Sequence, residues 1–130
     1  MAWEVPGLML PGFTASADLS AKQYYAVKIS GAGTVTVCAA VTDVPIGILQ
    51  NAPASGEAAQ VMVNGISKVN SDAGLTRGSL IGTAADGQLA AYAAGTDTTK
   101  YIIGQVLVAS GNAGELATAA INCANLNRGA

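Results

Sequence analysis

The feature of this sequence that most limits its possible folds is an internal duplication. Residues 18–35 (DLSAKQYYAVKISGAGTV) align without a gap with residues 74–91 (GLTRGSLIGTAADGQLAA) at an offset of 56 residues. Further along, PIGIL matches IIGQV at an offset of 57, and GEAAQVMVN matches GELATAAIN at an offset of 58. The slow drift of the offset indicates one-residue insertions, which belong in loops. The order of the matches predicts two pseudo-repeats, at about 18–70 and 74–123; the alternative is a single meander with similar turns.

Within each repeat the local signals are those of β-strands. TVTVCAAV alternates polar and apolar residues, the period of a half-buried strand. ATAAINCANL is rich in alanine, but the duplication aligns it with the strand-like AAQVMVN, so we predict a strand there against its helix propensity. The sequence therefore predicts an all-β fold, a small barrel or sandwich in which two duplicated β units cover each other's apolar faces. The other predicted strands are YYAVKI, PIGILQ, AQVMVNGISKV, SLIGTA and YIIGQVLVA.

Residues 1–17 differ from the rest and are predicted to form an extended N-terminal arm, followed by a single β domain at 18–130. The arm contains the only Trp and the only Phe of the chain, and Pro6 and Pro11 disfavour a helix in it. Its large apolar side chains either bind another chain or cap one end of their own domain. The candidate contact residues are Trp3, Val5, Leu8, Met9, Leu10 and Phe13.

The free-energy balance of this arm is close to zero by simple estimates. Burying six large apolar side chains contributes about 1.5–3 kcal/mol each. Ordering the arm costs about 1–2 kcal/mol per residue in backbone entropy. We therefore expect the arm to be loose in the isolated chain and fixed when it docks on a partner.

The residue types argue against catalysis, a metal or cofactor site, and nucleic-acid binding. The chain has no His, which is the commonest general base and metal ligand. Its acidic residues show no metal-binding spacing; Glu57 and Glu115 occupy equivalent turns, so a hydrolase with a carboxylate pair is the weakest hypothesis considered. The six cations are scattered and the net charge is −2, so a phosphate-binding surface is not expected. We predict a non-enzymatic protein without cofactors.

The remaining composition suggests an assembled protein outside any membrane. Only 11% of residues are charged, about half the usual share, which is typical of a surface that is hidden in an assembly. No apolar run reaches the length of a membrane span, and the acidic, proline-containing start is a poor signal peptide. Cys38 and Cys123 are expected to be buried free thiols, although a disulfide between them stays open at this point.

Four blocks of the sequence resemble the capsid cement, or head decoration, proteins of tailed bacteriophages: DLSAKQYYAVKISGAGTV, PIGILQNAPASGEAAQVMVNGISKV, GLTRGSLIGTAADGQL and YIIGQV. The resemblance covers roughly residues 18–122 and is most specific in the block PIGILQNAPASGEAAQV. It implies a non-enzymatic protein that is made in the bacterial cytoplasm and forms a homotrimer on the outer surface of the virion head. There it would bridge and stabilise subunits of the major capsid protein, with its N-terminal arm touching the shell.

A second hypothesis is a phage tail or baseplate component, or a glycan-binding β module. A glycan site would need exposed aromatic side chains on a concave face. The chain has only one Trp, one Phe and four Tyr residues to supply them.

Overall fold

The structure is a computed structural model that describes residues 2, 5–10 and 12–128, with the backbone alone for Val5 and Pro6. Within these residues every regular element is a β-strand, which confirms the all-β prediction. That part of the chain has no helix long and apolar enough to span a bilayer. The strands are β1 (Val5–Leu10), β2 (Thr14–Ala15), β3 (Ala26–Gly31), β4 (Thr34–Val37), β5 (Gly47–Leu49), β6 (Val61–Asn70), β7 (Leu80–Thr83), β8 (Leu89–Ala91), β9 (Tyr101–Ile102), β10 (Gly104–Val108), β11 (Leu116–Asn122) and β12 (Asn127–Arg128).

Ten of these strands form one open sheet. Its order is β2-β4-β3-β5-β6-β11-β10-β7-β8, with β1 added on β6, while β9 and β12 form a separate two-stranded sheet. Among the described strands, β2 and β8 are the two ends of the path, so of the two predicted alternatives the sheet is not a closed barrel and is compatible with a sandwich-like fold. The physical reason is the length of the end strands: β2 has two residues and β8 has three, too few for the continuous seam that closes a barrel.

The strand order reads the same from both sides of the β6–β11 pair. On one side it is β4-β3-β5-β6, and on the other side it is β8-β7-β10-β11. The antiparallel pairing of β6 with β11 places Asn64 opposite Asn122, two residues that the sequence alignment matches with each other. Equivalent residues face each other across an antiparallel pair only beside a local twofold axis. The sheet therefore has a pseudo-twofold axis next to this asparagine pair.

Two equivalent glycines allow the close approach of strands on either side of this axis. A Cβ atom on Gly47 of β5 would overlap the carbonyl oxygen of Met62, and one on Gly104 of β10 would overlap that of Ala120. Met62 and Ala120 are themselves aligned at the offset of 58. Both units therefore require a glycine as the first residue of this strand, Gly47 in β5 and Gly104 in β10.

β5 and β11 lie on opposite edges of β6. The carbonyl oxygen of Gln60 accepts a hydrogen bond from the Gln50 N–H group (2.7 Å), and that of Val63 accepts one from the Cys123 N–H group (2.8 Å). Carbonyl groups three positions apart in a strand point to opposite edges, because the direction alternates with each residue. Both edges of β6 are thus in use near the N-terminal end of the strand.

β1 crosses β6 from one edge to the other. Met62 pairs with β5 on one edge, so its other partner, Met9, lies on the β11 side. Asn64 pairs with β11, so its other partner, Leu8, lies on the β5 side. β1 therefore takes up the stretch of each edge that β5 and β11 leave unpaired, which satisfies backbone groups that would otherwise remain exposed.

The crossing point is a contact between two glycines. Gly65 has a φ of +145°, and a Cβ atom on it would lie 2.9 Å from the Cα atom of Gly7. The pairing of β1 with β6 shifts register between Val5 and Leu8 and again between Leu8 and Met9. Residues with side chains could not bring two backbones this close, so the crossing depends on both glycines.

The apolar core has two clusters. The smaller one combines Ala15 of the arm with residues of the first unit that include Leu19, Val27 and Leu49. The larger one joins both units, because it contains Ile48 from β5 together with Ile81 from β7. It also contains Cys38 and Cys123, which are buried and free, as predicted.

Candidate interaction surface

The acidic side chains that sequence analysis weighed as a catalytic pair stabilise their own turns. Glu57 accepts a hydrogen bond from the Ala54 N–H group (2.7 Å), and Glu115 accepts one from the Gly111 N–H group (3.0 Å). The latter bond is the first cause of a lowered pKa for the exposed Glu115 carboxyl group. In the described part of the chain, no three His, Cys, Asp or Glu side chains come together as metal ligands.

The inner end of the predicted arm packs on the core. Leu10 is half-buried against both apolar clusters, and Phe13 is half-buried against the smaller one. The Phe13 carbonyl oxygen accepts a hydrogen bond from the Ala59 N–H group (2.9 Å), and the Ala15 N–H group donates to the backbone carbonyl oxygen of Glu57 (2.9 Å). Leu10, Phe13 and Ala15 of the arm thus contribute to the stability of the chain itself.

The outer part of the arm presents apolar side chains to solvent. Leu8 is 60% exposed and Met9 is 37% exposed, and both lie on β1 where it crosses β6. The backbone of Val5 pairs with Ile66, while Trp3 lies outside the described residues. Of the six predicted contact residues, Leu8 and Met9 are the ones whose described side chains are exposed.

A second surface, which we call the open face, is a row of four side chains across β6, β11, β10 and β7. Ile66 is opposite Ala120, Ala120 is opposite Gln105, and Gln105 is opposite Leu80. Directly opposed residues of antiparallel strands point to the same side of the sheet. All four are half-buried or exposed, with Leu80 at 41%. The row spans three strand spacings, roughly 14 Å at about 4.8 Å each.

An open groove of about 320 Å³ runs along this face. No ionisable or aromatic side chain is among the described residues that line it. Its polar groups are uncharged carboxamides, which both donate and accept hydrogen bonds and so suit a peptide backbone. The groove also lacks the aromatic surface that the glycan-binding hypothesis requires. It is lined by Leu80, Ile102, Ile103, Gly104, Gln105, Ala120, Ile121, Asn122, Asn125 and Asn127.

The equivalent face of the first unit is buried. The residues aligned with Gln105 and Ala120 are Ile48 and Met62, and both of these are buried in the larger cluster. The second unit has a polar and a small side chain at the same places, and they remain accessible. Sequence reasoning missed this surface, although the replacement of Ile48 by Gln105 within an otherwise matched pair of strands was a readable signal.

A third feature is the valine turn, residues 40–44, between β4 and β5. Val41 is 38% exposed and Val44 is 53% exposed. Between them, the Asp43 carboxylate accepts a hydrogen bond from the Lys28 ammonium group at 2.8 Å, and this contact is the first cause of the lowered pKa of Asp43. The turn thus presents two apolar side chains, and its one acidic group is paired.

The fold is similar to that of a solved phage protein. The chain superposes on the N base of the head fiber protein gp8.5 of bacteriophage phi29 with a TM-score of 0.64 and 17% sequence identity, covering 89% of this chain and 96% of that one. At this level of identity the similarity establishes the fold alone. No family model matches the sequence. No curated protein matches it in sequence either.

Proposed function

We propose that this chain is a structural protein of a bacteriophage head, and more specifically a cement or decoration protein on the outer surface of the shell. The observation that carries the proposal is the near-complete overlap with the N base of a phage head fiber, over 89% of this chain. The cement-like blocks over residues 18–122 support the finer assignment.

In this role the protein acts by adhesion. A homotrimer bridges neighbouring subunits of the major capsid protein and resists outward pressure on the shell. Leu8 and Met9 supply the contact, since their side chains are exposed while Leu10 holds the end of the same strand on the core. Each side chain buried on the shell contributes about 1.5–3 kcal/mol. Three arms on one trimer raise the effective concentration, which converts weak single contacts into stable attachment.

The experiment is a binding assay on purified heads that lack this protein. We expect the wild-type chain to co-sediment with heads and to raise their resistance to heat. The double variant Leu8→Ser, Met9→Ser should bind at least about tenfold more weakly, because it loses two apolar contacts. The matched control is Leu116→Ser, at a leucine that is 36% exposed on β11, and it should bind like the wild type.

Two results would contradict the proposal at different levels. If the wild-type chain does not bind heads under any condition tested, the chain is not a head protein. If the double variant binds as tightly as the wild type, the chain is a head protein but β1 is not its contact.

A further inference from the structure

The open face is accessible in a single chain, whereas the equivalent face of the first unit is buried. Its counterpart in the first unit, built on Ile48 and Met62, lies in the larger core cluster. In the second unit the same positions border the 320 Å³ groove, and Leu80 is 41% exposed beside it. Exposed apolar surface rimmed by polar groups marks an interaction site.

We propose that the open face of one chain receives the valine turn of a second copy of the same chain. The turn exposes Val41 and Val44 at the surface, whereas the groove is lined by residues that include Leu80 and Ala120. The contact buries the two valines against these apolar residues, and the carboxamides of Asn122 and Asn125 hydrogen-bond to the backbone of the turn. The proposal deepens the proposed function and rests on its trimer.

Charge complementarity favours this turn over the exposed turns whose carboxylates have no cation partner, and its two exposed valines distinguish it from the turn that contains the Lys100–Asp97 pair. The groove has no ionisable side chain to neutralise an incoming charge. Within residues 5–10 and 12–128 the ion pairs are Lys28–Asp43 and Lys100–Asp97, so the valine turn brings its carboxylate already paired. The turns that contain Glu57, Asp86 or Glu115 would bring a carboxylate without a cation. Burying such a charge costs several kcal/mol, and the Lys28 partner of Asp43 lowers that cost for the valine turn.

The two surfaces belong to different units, so the contact is head-to-tail. Such contacts either close into a ring or continue into a filament. The open face is roughly 14 Å across. A square of that width has an area of roughly 200 Å², whereas a standard interface buries about 800 Å² per partner. A single contact is therefore weak, and we expect the assembly to be stable only when the ring closes and each chain uses both of its surfaces.

The test is disulfide trapping in the isolated protein. Cys38 and Cys123 are buried, and burial raises the pKa of each thiol to about 12, so the native cysteines stay protonated and unreactive. We would mix the single variants Leu80→Cys and Val44→Cys under mild oxidation and expect a covalent heterodimer. Either variant alone should remain largely uncross-linked. The matched control mixes Leu116→Cys with Val44→Cys and should give no more product than random collision.

A second measurement does not depend on cross-linking. Gln105→Glu places a carboxylate in the groove on an exposed side chain, so the fold should be retained, as checked by circular dichroism. Its mass in solution should shift towards the monomer at concentrations where the wild type is assembled, with a rise of at least about tenfold in the concentration needed for assembly.

The inference is overturned if the Leu80→Cys and Val44→Cys mixture cross-links no better than its control. It is also overturned if Gln105→Glu assembles like the wild type. If either result is obtained and the wild-type chain still binds heads, the inference fails but the proposed function is retained. In that case, protection of the Leu80→Cys thiol from labelling by added heads would identify the shell as the occupant of the open face.

Discussion

Cys38 and Cys123 show how one residue type responds to its surroundings in this core. Burial in the larger cluster is the first cause of the raised pKa of both thiols, to about 12. The charge of nearby Asp43 acts in the same direction on Cys38, and Cys38 acts on Cys123. The fold thus keeps both sulfurs in the neutral form, in which they pack as small apolar groups.

This arrangement predicts a loss of stability in alkali. In the unfolded chain the thiols lose their protons near their ordinary pKa of 9, whereas in the folded chain they hold them until about pH 12. Above pH 9 the unfolded state therefore binds fewer protons, and the free energy of unfolding falls as pH rises, by on the order of 1 kcal/mol per pH unit for each thiol. Urea unfolding between pH 8 and about 11 measures this.

The control separates the thiols from other groups that titrate in the same range. Tyr25 also has a raised pKa, chiefly through burial, and adds to the alkaline slope. The double variant Cys38→Ala, Cys123→Ala should be less stable at neutral pH but should lose the thiol part of the slope. An equal pH dependence in wild type and variant would show that the cysteines are not the cause.

At the scale of elements, strands that belong to the duplication were predictable and β1 was not. β11 was predicted as a strand in spite of its alanines because β6 is its equivalent, and the structure has it at Leu116–Asn122. The pairing of β1 is a contact between residues some 55 positions apart, Leu8 with Asn64, and nothing in the local sequence records it. Gly7 and Gly65 permit the close contact, but a glycine in a sequence does not indicate which residue it will contact.

The glycine crossing can be tested with one substitution and one control. Gly65→Ala should detach β1, because the new Cβ atom would meet the backbone of Gly7 and its φ of +145° is disfavoured. The expected cost is about 1–3 kcal/mol for the backbone conformation, with a further 1–3 kcal/mol for the overlap. Hydrogen exchange of residues 61–66 should become faster, as measured by mass spectrometry.

Gly56→Ala supplies the comparison, since Gly56 also has a positive φ, +84°, but a Cβ atom there would meet no neighbour within 4 Å. It should show the backbone cost alone and leave exchange at residues 61–66 unchanged. If the two variants behave alike, the contact between Gly7 and Gly65 does not hold β1 in place.

At the scale of the whole molecule, the two units depend on each other. The larger apolar cluster takes Ile48 and Met62 from the first unit and Ile81 and Leu89 from the second. Neither unit can bury its own share of these side chains alone. The sequence predicted two units with a common core, but the choice between barrel and sandwich depended on the length of the end strands, which local patterns fix poorly.

We therefore predict that the separate fragments 1–72 and 73–130 do not fold. Each should give a circular dichroism spectrum of unfolded chain, whereas the intact protein should unfold in a single cooperative transition. Mixing the fragments should restore some β structure, because the shared core can then form. A fragment that folds alone and unfolds cooperatively would show that its unit is an independent domain.

The path of β1 also decides how the protein responds to a mechanical load. A strand held along one edge of a sheet can be peeled away bond by bond from its free end. β1 is held on both edges of β6, on either side of the contact between Gly7 and Gly65. A pull on the N-terminal end is therefore transmitted through the crossing into the centre of the sheet. Detaching β1 would require hydrogen bonds on both edges of β6 to break, so β1 should resist a pulling force better than a strand that is paired along one edge.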